Sequence, residues 1–577
     1  MREYFEAEMR LLQDAAADFA RAHPEQARML NLTEVRDRDP YVERLLEGMA
    51  FMAAQIRARI DDSEVAVSEQ LLEQLCPGQL RGSPSGTLLA FTPDTHAQQS
   101  KTVAAGSRVS SARVGDDRQS CQFSTLMTAQ VQPLAVKAVT ARETADGGTT
   151  LSITIDHVGG GDIAALALTQ LDFFLHADHA LALALFQGLT EKPGEIQLYA
   201  DSSTDPFATL PGSALSAPGL DSQRGETDAL PHHRGNPGFD LLQDYFSWRD
   251  RFLFVRLAGP AQAWRVPDKC SRLRIVIPMA LRLPVEHQLK AENLRLNCVP
   301  ARNLYSMDAD PLEVDQRRAE YRFLPDKQRP DTVVLHHIEE LLGREQKSAR
   351  VRRFRPFYQA MDLENGEHCY RLTHRDLGLA TPQPFISLSG PALIDQQTLS
   401  ARVTVSDGYL PRRYLAENQI TAPGDGMPSG ITVTNITRPT SYLPCPPNTT
   451  YRWQLQALMQ LPVGGLASRE GLRTLLGLLD WTGREEHRRR RQAVQEVVTE
   501  PVTRMLRGML YRGLAITVHL SEQDFLSHGD IYLFGCVLHR VLSLSAAINE
   551  SVELRVIAQP GQREFIWEPR PGCAAPI

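Results

Sequence analysis

Between Asp39 and Asp62 the chain reads DPYVERLLEGMAFMAAQIRARIDD, and its apolar residues return every three or four positions. Val42, Leu45, Met49, Met52, Ile56 and Ile60 form the stripe, Leu46 and Ala53 widen it, and Arg44, Glu47, Gln55, Arg57 and Arg59 fall largely outside it. That spacing predicts an amphipathic helix. Asp39 can cap it, Pro40 suits its first turn, and Asp61, Asp62 and Ser63 are expected to stop it. Upstream, Phe5, Met9, Leu12, Ala16 and Phe19 recur at alternating steps of four and three, close to a heptad seam, and Pro24 ends that run. A third, shorter helix is expected from Ser68, carrying Leu71, Leu72 and Leu75 up to Cys76-Pro77-Gly78. About eighty residues seldom bury enough apolar surface to be firm alone. These helices therefore close a bundle either against the rest of the chain or with helices of another subunit.

Beyond Gly82-Ser83-Pro84 the period changes to that of strands. Thr87–Thr92, Cys121–Phe123 and the alternating Leu151, Ile153 and Ile155 read as strands, as do segments near Leu171, Leu253, Leu273 and Leu294. Asp178–Leu189 reads as a helix. Residues 200–237 and 421–448, rich in Ser, Pro, Gly and Thr, read as connectors, and the charged stretch 325–356 as loop or surface. Strand signals return at Thr398–Val405. Helices are expected at Trp453–Leu461, Arg469–Trp481, Arg484–Glu500 and Asp530–Asn549, with strands at Gly513–Leu520 and Val552–Ala558. The expected class is α+β and multidomain: N-terminal helices over 1–82, a β-rich middle over 83–320 with a loop at 200–237, a second β-containing region over 321–450, and a mixed end over 451–577.

Composition narrows the function. The 577 residues carry a formal charge of −7, so no global basic field exists for nucleic acid or anionic membrane. Charges at Arg2, Glu3, Glu6, Glu8 and Arg10 replace the apolar core of a signal peptide. The apolar run Ile531–Ala547 is short for a membrane span and is broken by His539 and Arg540, which favours a buried helix. Eight scattered cysteines without a CxxC pair suit reduced thiols in the cytoplasm.

Catalytic motifs are sparse. His374-Arg375-Asp376-Leu377 begins like a kinase catalytic loop, but Thr381 stands where the asparagine belongs and no glycine-rich ATP loop exists. His368, Cys369 and His374 fit no zinc-finger spacing, and His232-His233 falls in a connector. Gly159-Gly160-Gly161 lacks the Lys or Ser of a phosphate loop. Four arginines, Arg488–Arg491, spread around a helix rather than along one face, which suits a solvated helix or an acidic partner surface more than a nucleic-acid groove. No catalytic residue, cofactor site or metal site is expected.

The opening run REYFEAEMRLLQDAAADFARAHPEQARMLNL, followed by Asp39 through Phe51, resembles the N-terminus of the TssF (ImpG/VasA) family of type VI secretion baseplate subunits. The aromatics Tyr4 and Phe5, Ala20 with His23-Pro24, and Leu71–Leu80 carry the likeness. It continues through Ala105-Gly106-Ser107, Cys121, Phe123 and Thr125, Pro133-Leu134, Leu241–Phe246 with Arg251–Phe254, and Cys298, Pro300, Asn303 and Leu304. Leu533-Phe534-Gly535, Leu538, Ile548-Asn549, Glu553-Leu554, and Trp567, Pro569, Arg570 and Gly572 close it. One departure is clear: where the family tends to C-T-N-R-x-L-P, this chain has Val405-Ser406-Asp407-Gly408-Tyr409-Leu410-Pro411.

The resemblance implies a cytoplasmic scaffold, docked at the inner membrane through an assembled contractile machine and similar to phage baseplate wedge proteins. It implies two copies per TssG, contacts to TssE and TssK, and wedges around a VgrG hub. Neither nucleic acid nor direct membrane insertion is implied. The expected assembly interface is Phe5, Met9, Leu12, Phe19, Val42, Leu45, Leu46, Met49, Met52, Ile56, Ile60, Leu72 and Leu75. A phage-tail-like baseplate protein and an enzyme with an unrecognised carboxylate or histidine site are the alternatives.

Overall fold

In the computed structural model, the described residues are 2–29, 40–115, 118–145, 147–201, 203–220, 236–260, 262, 264–283, 289–315, 317–346, 350–359, 368–375, 377, 381–390, 396–424, 426–446, 449–506 and 508–573. The chain divides into two compact units. The first comprises Met1–Gln74 with Asn448–Gln456, and the second the remainder.

The first unit is helical. Arg2–Ala22 forms one helix, followed by a short one at Pro24–Met29. Pro40 opens a helix of 36 residues that runs unbroken to Leu75. The expected stop at Asp61–Ser63 and the separate helix from Ser68 are thus one continuous element. A few tenths of a kcal/mol per residue separate Asp and Ser from good helix formers, too little to end a helix that both flanks favour. The first turns of a helix from far down the chain, Thr449–Gln460, complete this unit.

The second unit is built of mostly antiparallel sheets with helices between. A six-stranded sheet runs, in spatial order, 420–423, 108–114, 119–125, 298–302, 86–93 and 431–435. Its core holds Leu89, Phe91, Val109, Phe123, Val299, Ile420 and Val433. A five-stranded sheet centres on Arg272–Met279 and Thr149–His157, whose buried Leu151, Ile153 and Ile155 show the expected alternation. The largest sheet, in 305–406, places Ile338, Leu341, Phe354, Ile386 and Val403 inside. At the C-terminal end Met509–Ser521 pairs in parallel with Glu550–Gln559, and the helix His528–Ser545 makes the crossover that such pairing requires. That helix is buried from Gly529 to Leu544. Ser527 caps it, accepting from the Asp530 amide at 3.3 Å.

Four strands arise in segments expected to connect, with Ala208–Leu210 and Leu215–Ser216 in the first and two in the second. Ile420–Pro423 and Ile431–Asn435 edge the six-stranded sheet and join it to strands three hundred residues earlier. The charged stretch expected as loop forms strands Val334–Glu345 and Val351–Pro356. The helix expected over Arg484–Glu500 stops at Ala493, where Val494 begins a strand reaching Leu506.

Candidate assembly surface

The long helix presents two different apolar faces. At about 100° per residue, Leu46, Ala50, Ala53, Ala54 and Arg57 share one arc. Ala50 and Ala54 are fully buried, and Arg57 donates to Glu8 of the first helix at 2.7 Å, so this small-residue face meets its own chain. Tyr41, Leu45, Met49, Met52 and Ile56 lie on an arc displaced by about 130°. They remain 81, 66, 53, 65 and 59% exposed. Each such side chain withholds roughly 1–2 kcal/mol of apolar burial. A continuous patch of large apolar side chains marks a contact site on a soluble protein.

The expected interface residues fall into groups. Leu45, Met49, Met52, Ile56 and Phe19 are exposed, as is Leu75. Phe5, Met9, Leu12 and Leu46 are half-buried, and Leu72 is fully buried, so Leu72 serves the interior. The side chains of Val42 and Ile60 lie outside the described residues, as does Asp39. Exposed Leu11, Tyr41 and Phe51 belong to the same helices but were not among the expected interface residues, nor was Leu71, which the sequence placed on the third helix. Tyr41 was legible, standing four residues before Leu45. Trp453, 48% exposed, was not, because nothing local ties its helix to the N-terminus. The tie is a buried ion pair, Arg452 to Glu69 at 3.0 Å, and burial raises the Glu69 carboxyl above its usual range.

Buried charges elsewhere pair with one another, although Arg302 Nε, Arg490 Nε and Nη1, and Asp530 Oδ1 make no hydrogen bond among the described residues. Asp244 pairs with both Arg251 and Arg302, and Asp240 accepts from Gln79 at 2.5 Å. Burial pushes Arg302 down to about 10, and burial with repulsion from Arg302 takes Arg251 to about 9. Arg490 donates to Asp530 at 2.9 Å, and the guanidiniums of Arg490 and Arg249 both lie against the Tyr245 ring.

The departing turn has a clear role. One Asp407 oxygen accepts from the Gln122 amide at 3.1 Å and the Asn303 side chain at 2.6 Å. The other accepts from the Tyr305 hydroxyl at 2.8 Å, and the Asp407 backbone amide donates back to the Asn303 side-chain oxygen Oδ1. Burial raises the Asp407 carboxyl.

His368, Cys369 and His374 lie on one strand, with Cys369 on the face opposite the two histidines. Among the described residues no group of three or more His, Cys, Asp or Glu side chains is placed to hold a metal. His232-His233 lies outside them. The Gly159–Gly161 loop directs two amides at the ring of its own His157, both at 3.1 Å. Among the described residues no helix is long and apolar enough to cross a membrane.

A family model described as type VI secretion system, TssF, matches residues 1–574. The chain is 26% identical to type VI secretion system component TssF1 of Pseudomonas aeruginosa over 621 aligned positions, spanning 99% of this chain and 98% of that protein. A solved TssK-TssF-TssG baseplate subcomplex contains a chain similar to it with a TM-score of 0.74 and 26% identity, over 92% of this chain and 100% of that one. A solved type VI baseplate complex contains a chain similar over the full length of both, with a TM-score of 0.61 and 26% identity.

Proposed function

This chain belongs to the TssF family of the type VI secretion system, and on that premise we propose that it is a non-enzymatic baseplate subunit whose N-terminal helices assemble with a second copy of itself and one TssG-type partner. The observation that carries this is the exposed arc of Tyr41, Leu45, Met49, Met52 and Ile56, set apart from the face on which Ala50 and Ala54 are buried within the chain. The likeness to a chain from a TssK-TssF-TssG subcomplex supports the choice of partners. In this reading the second unit supplies contacts to TssK, TssE and neighbouring wedges around the VgrG hub, in the cytoplasm at the inner membrane. The buried ion pairs keep that unit rigid under contraction load. Native mass measurement of the chain co-expressed with its cognate TssG tests the core claim. Two copies per TssG are expected, and a stable lone monomer indifferent to TssG would refute it.

A further inference from the structure

Gly48 lies inside the helix Pro40–Leu75, which runs through it unbroken. Glycine weakens a helix relative to alanine, because it orders more backbone and adds no packing. A left-handed backbone or a close neighbour ordinarily accounts for such a residue. Gly48 has neither. Its φ is not positive, and a Cβ built on it meets no atom within 4 Å among the described residues. The other described glycines with such open space, Gly147, Gly160, Gly426, Gly483 and Gly508, all hold positive φ. The fold of this chain therefore gives no reason for a glycine at residue 48.

A reason exists on the outward face. At about 100° per residue, residue 48 points about 160° away from Ala50, which the chain buries fully. Leu45, Gly48, Met49 and Met52 stand at positions i, i+3, i+4 and i+7. Four helical residues at that spacing are the corners of a hole into which a neighbouring helix sets one side chain. Three corners are large, apolar and exposed, and the fourth has no side chain at all. The hole is deepest over Gly48, and no described residue fills it there.

Resting on the assembly read above, we propose that Gly48 is the point of closest approach for a helix of the TssG-type partner, which seats a large apolar side chain between Leu45, Met49 and Met52. A helix is the occupant that matches this spacing, since its own side chains recur at the same three- and four-residue steps. TssG accompanies a similar chain in a solved subcomplex, which favours it over a second copy of this chain as the source of that helix.

The test compares Gly48→Ala and Gly48→Leu in the full chain. Thermal melts by circular dichroism read the free chain, interferometry reads binding to the cognate TssG, and sedimentation reads self-association. Both variants are expected to melt no lower than the parent, since alanine and leucine favour the helix and meet no neighbour. Gly48→Leu fills the hole and should weaken TssG binding about tenfold or more, with Gly48→Ala between it and the parent. A Gly48→Leu chain that melts below the parent would overturn the proposal, because the glycine would then serve the chain's own fold. Lost self-association with TssG binding intact would also overturn it, giving the hole to a second copy. Parental TssG binding by Gly48→Leu would refute it as well, and Leu45→Asp in the same assay separates two cases. If Leu45→Asp still loses TssG, the arc stands and only the hole falls; if both bind normally, the arc falls too.

Discussion

Leu45→Asp separates assembly from folding. In the free chain Leu45 is 66% exposed, so only about a third of its apolar area is buried, worth roughly 0.5–1 kcal/mol. Asp also lowers helix propensity by about 0.5 kcal/mol, partly offset by its place near the helix N-terminus. The folded chain should therefore lose little. In a bundle the same change forfeits about 1–2 kcal/mol of new burial and places a carboxylate against apolar neighbours at a cost of several kcal/mol. The sum exceeds about 3 kcal/mol, more than a hundredfold in affinity. Thermal melts by circular dichroism and binding to TssG by interferometry give the two readings, with Met52→Asp as a second site on the same arc. Ala54→Asp is the contrast, because that position is fully buried and its variant should fail to fold properly. Normal TssG binding by both Leu45→Asp and Met52→Asp would refute the assignment of this arc.

Four further outcomes follow from the second unit. Asp530→Ala strands the buried Arg490 and should cost about 3–5 kcal/mol in urea unfolding; a loss below about 1 kcal/mol would contradict it. His539 donates to the Val552 carbonyl at 3.1 Å, and burial holds its pKa down to about 4, so the folded state favours the neutral ring. Its stabilising contribution is complete above the ordinary histidine value near 6.5 and is lost as pH falls to about 4; relative to His539→Gln the parent should lose about 3 kcal/mol across that window, measured by urea unfolding at each pH. Gly535→Ala would set a methyl group 2.1 Å from the Trp567 ring and should destabilise by about 1–3 kcal/mol, with a shift in tryptophan fluorescence. Asp407→Asn should stabilise at pH 7 and progressively less as pH approaches 4, since the raised carboxyl favours its neutral form in the fold; identical stability curves for the two chains would contradict this.

What the sequence made legible was periodic and local. The stripe from Leu45 to Ile56 and the apolar run near Ile531 each repeat over several turns, so neighbours along the chain report one face. Pattern failed where pairing is distant or the period is interrupted. Strand Val334–Glu345 has irregularities at Leu335/His337 and Ile338/Glu340, which shift its alternation between faces, and its outer face carries charge. Ile431–Asn435 has only five residues amid Pro and Gly, and its partner is Leu89–Pro93. Val494 begins a strand directly after a charged helix, and the β-branched Val497, Val498 and Thr499 were the missed signal. The exposed arc was half legible: spacing showed a stripe, but only the buried alanines showed which side the chain covers itself.

The family blocks acquire a physical meaning when their contacts are followed. Asn303, from the block of Cys298, Pro300, Asn303 and Leu304, bonds to the departing turn at Asp407, about a hundred residues on. Gly535 lies against Trp567 because a side chain there would collide with the indole, whose Nε1 donates to Cys536 Sγ at 3.3 Å. Asp244, in the Leu241–Phe246 block, joins Arg251 to Arg302. Each block is a joint between segments distant in sequence, where a lost partner leaves a buried donor or charge unmet. The exchange at residue 407 fits this view. An asparagine there could keep the Gln122 and Asn303 bonds through its one carbonyl oxygen and turn its amide toward the Tyr305 hydroxyl, which can accept as well as donate. The joint therefore accommodates either residue, and the aspartate adds only the burden of a buried charge.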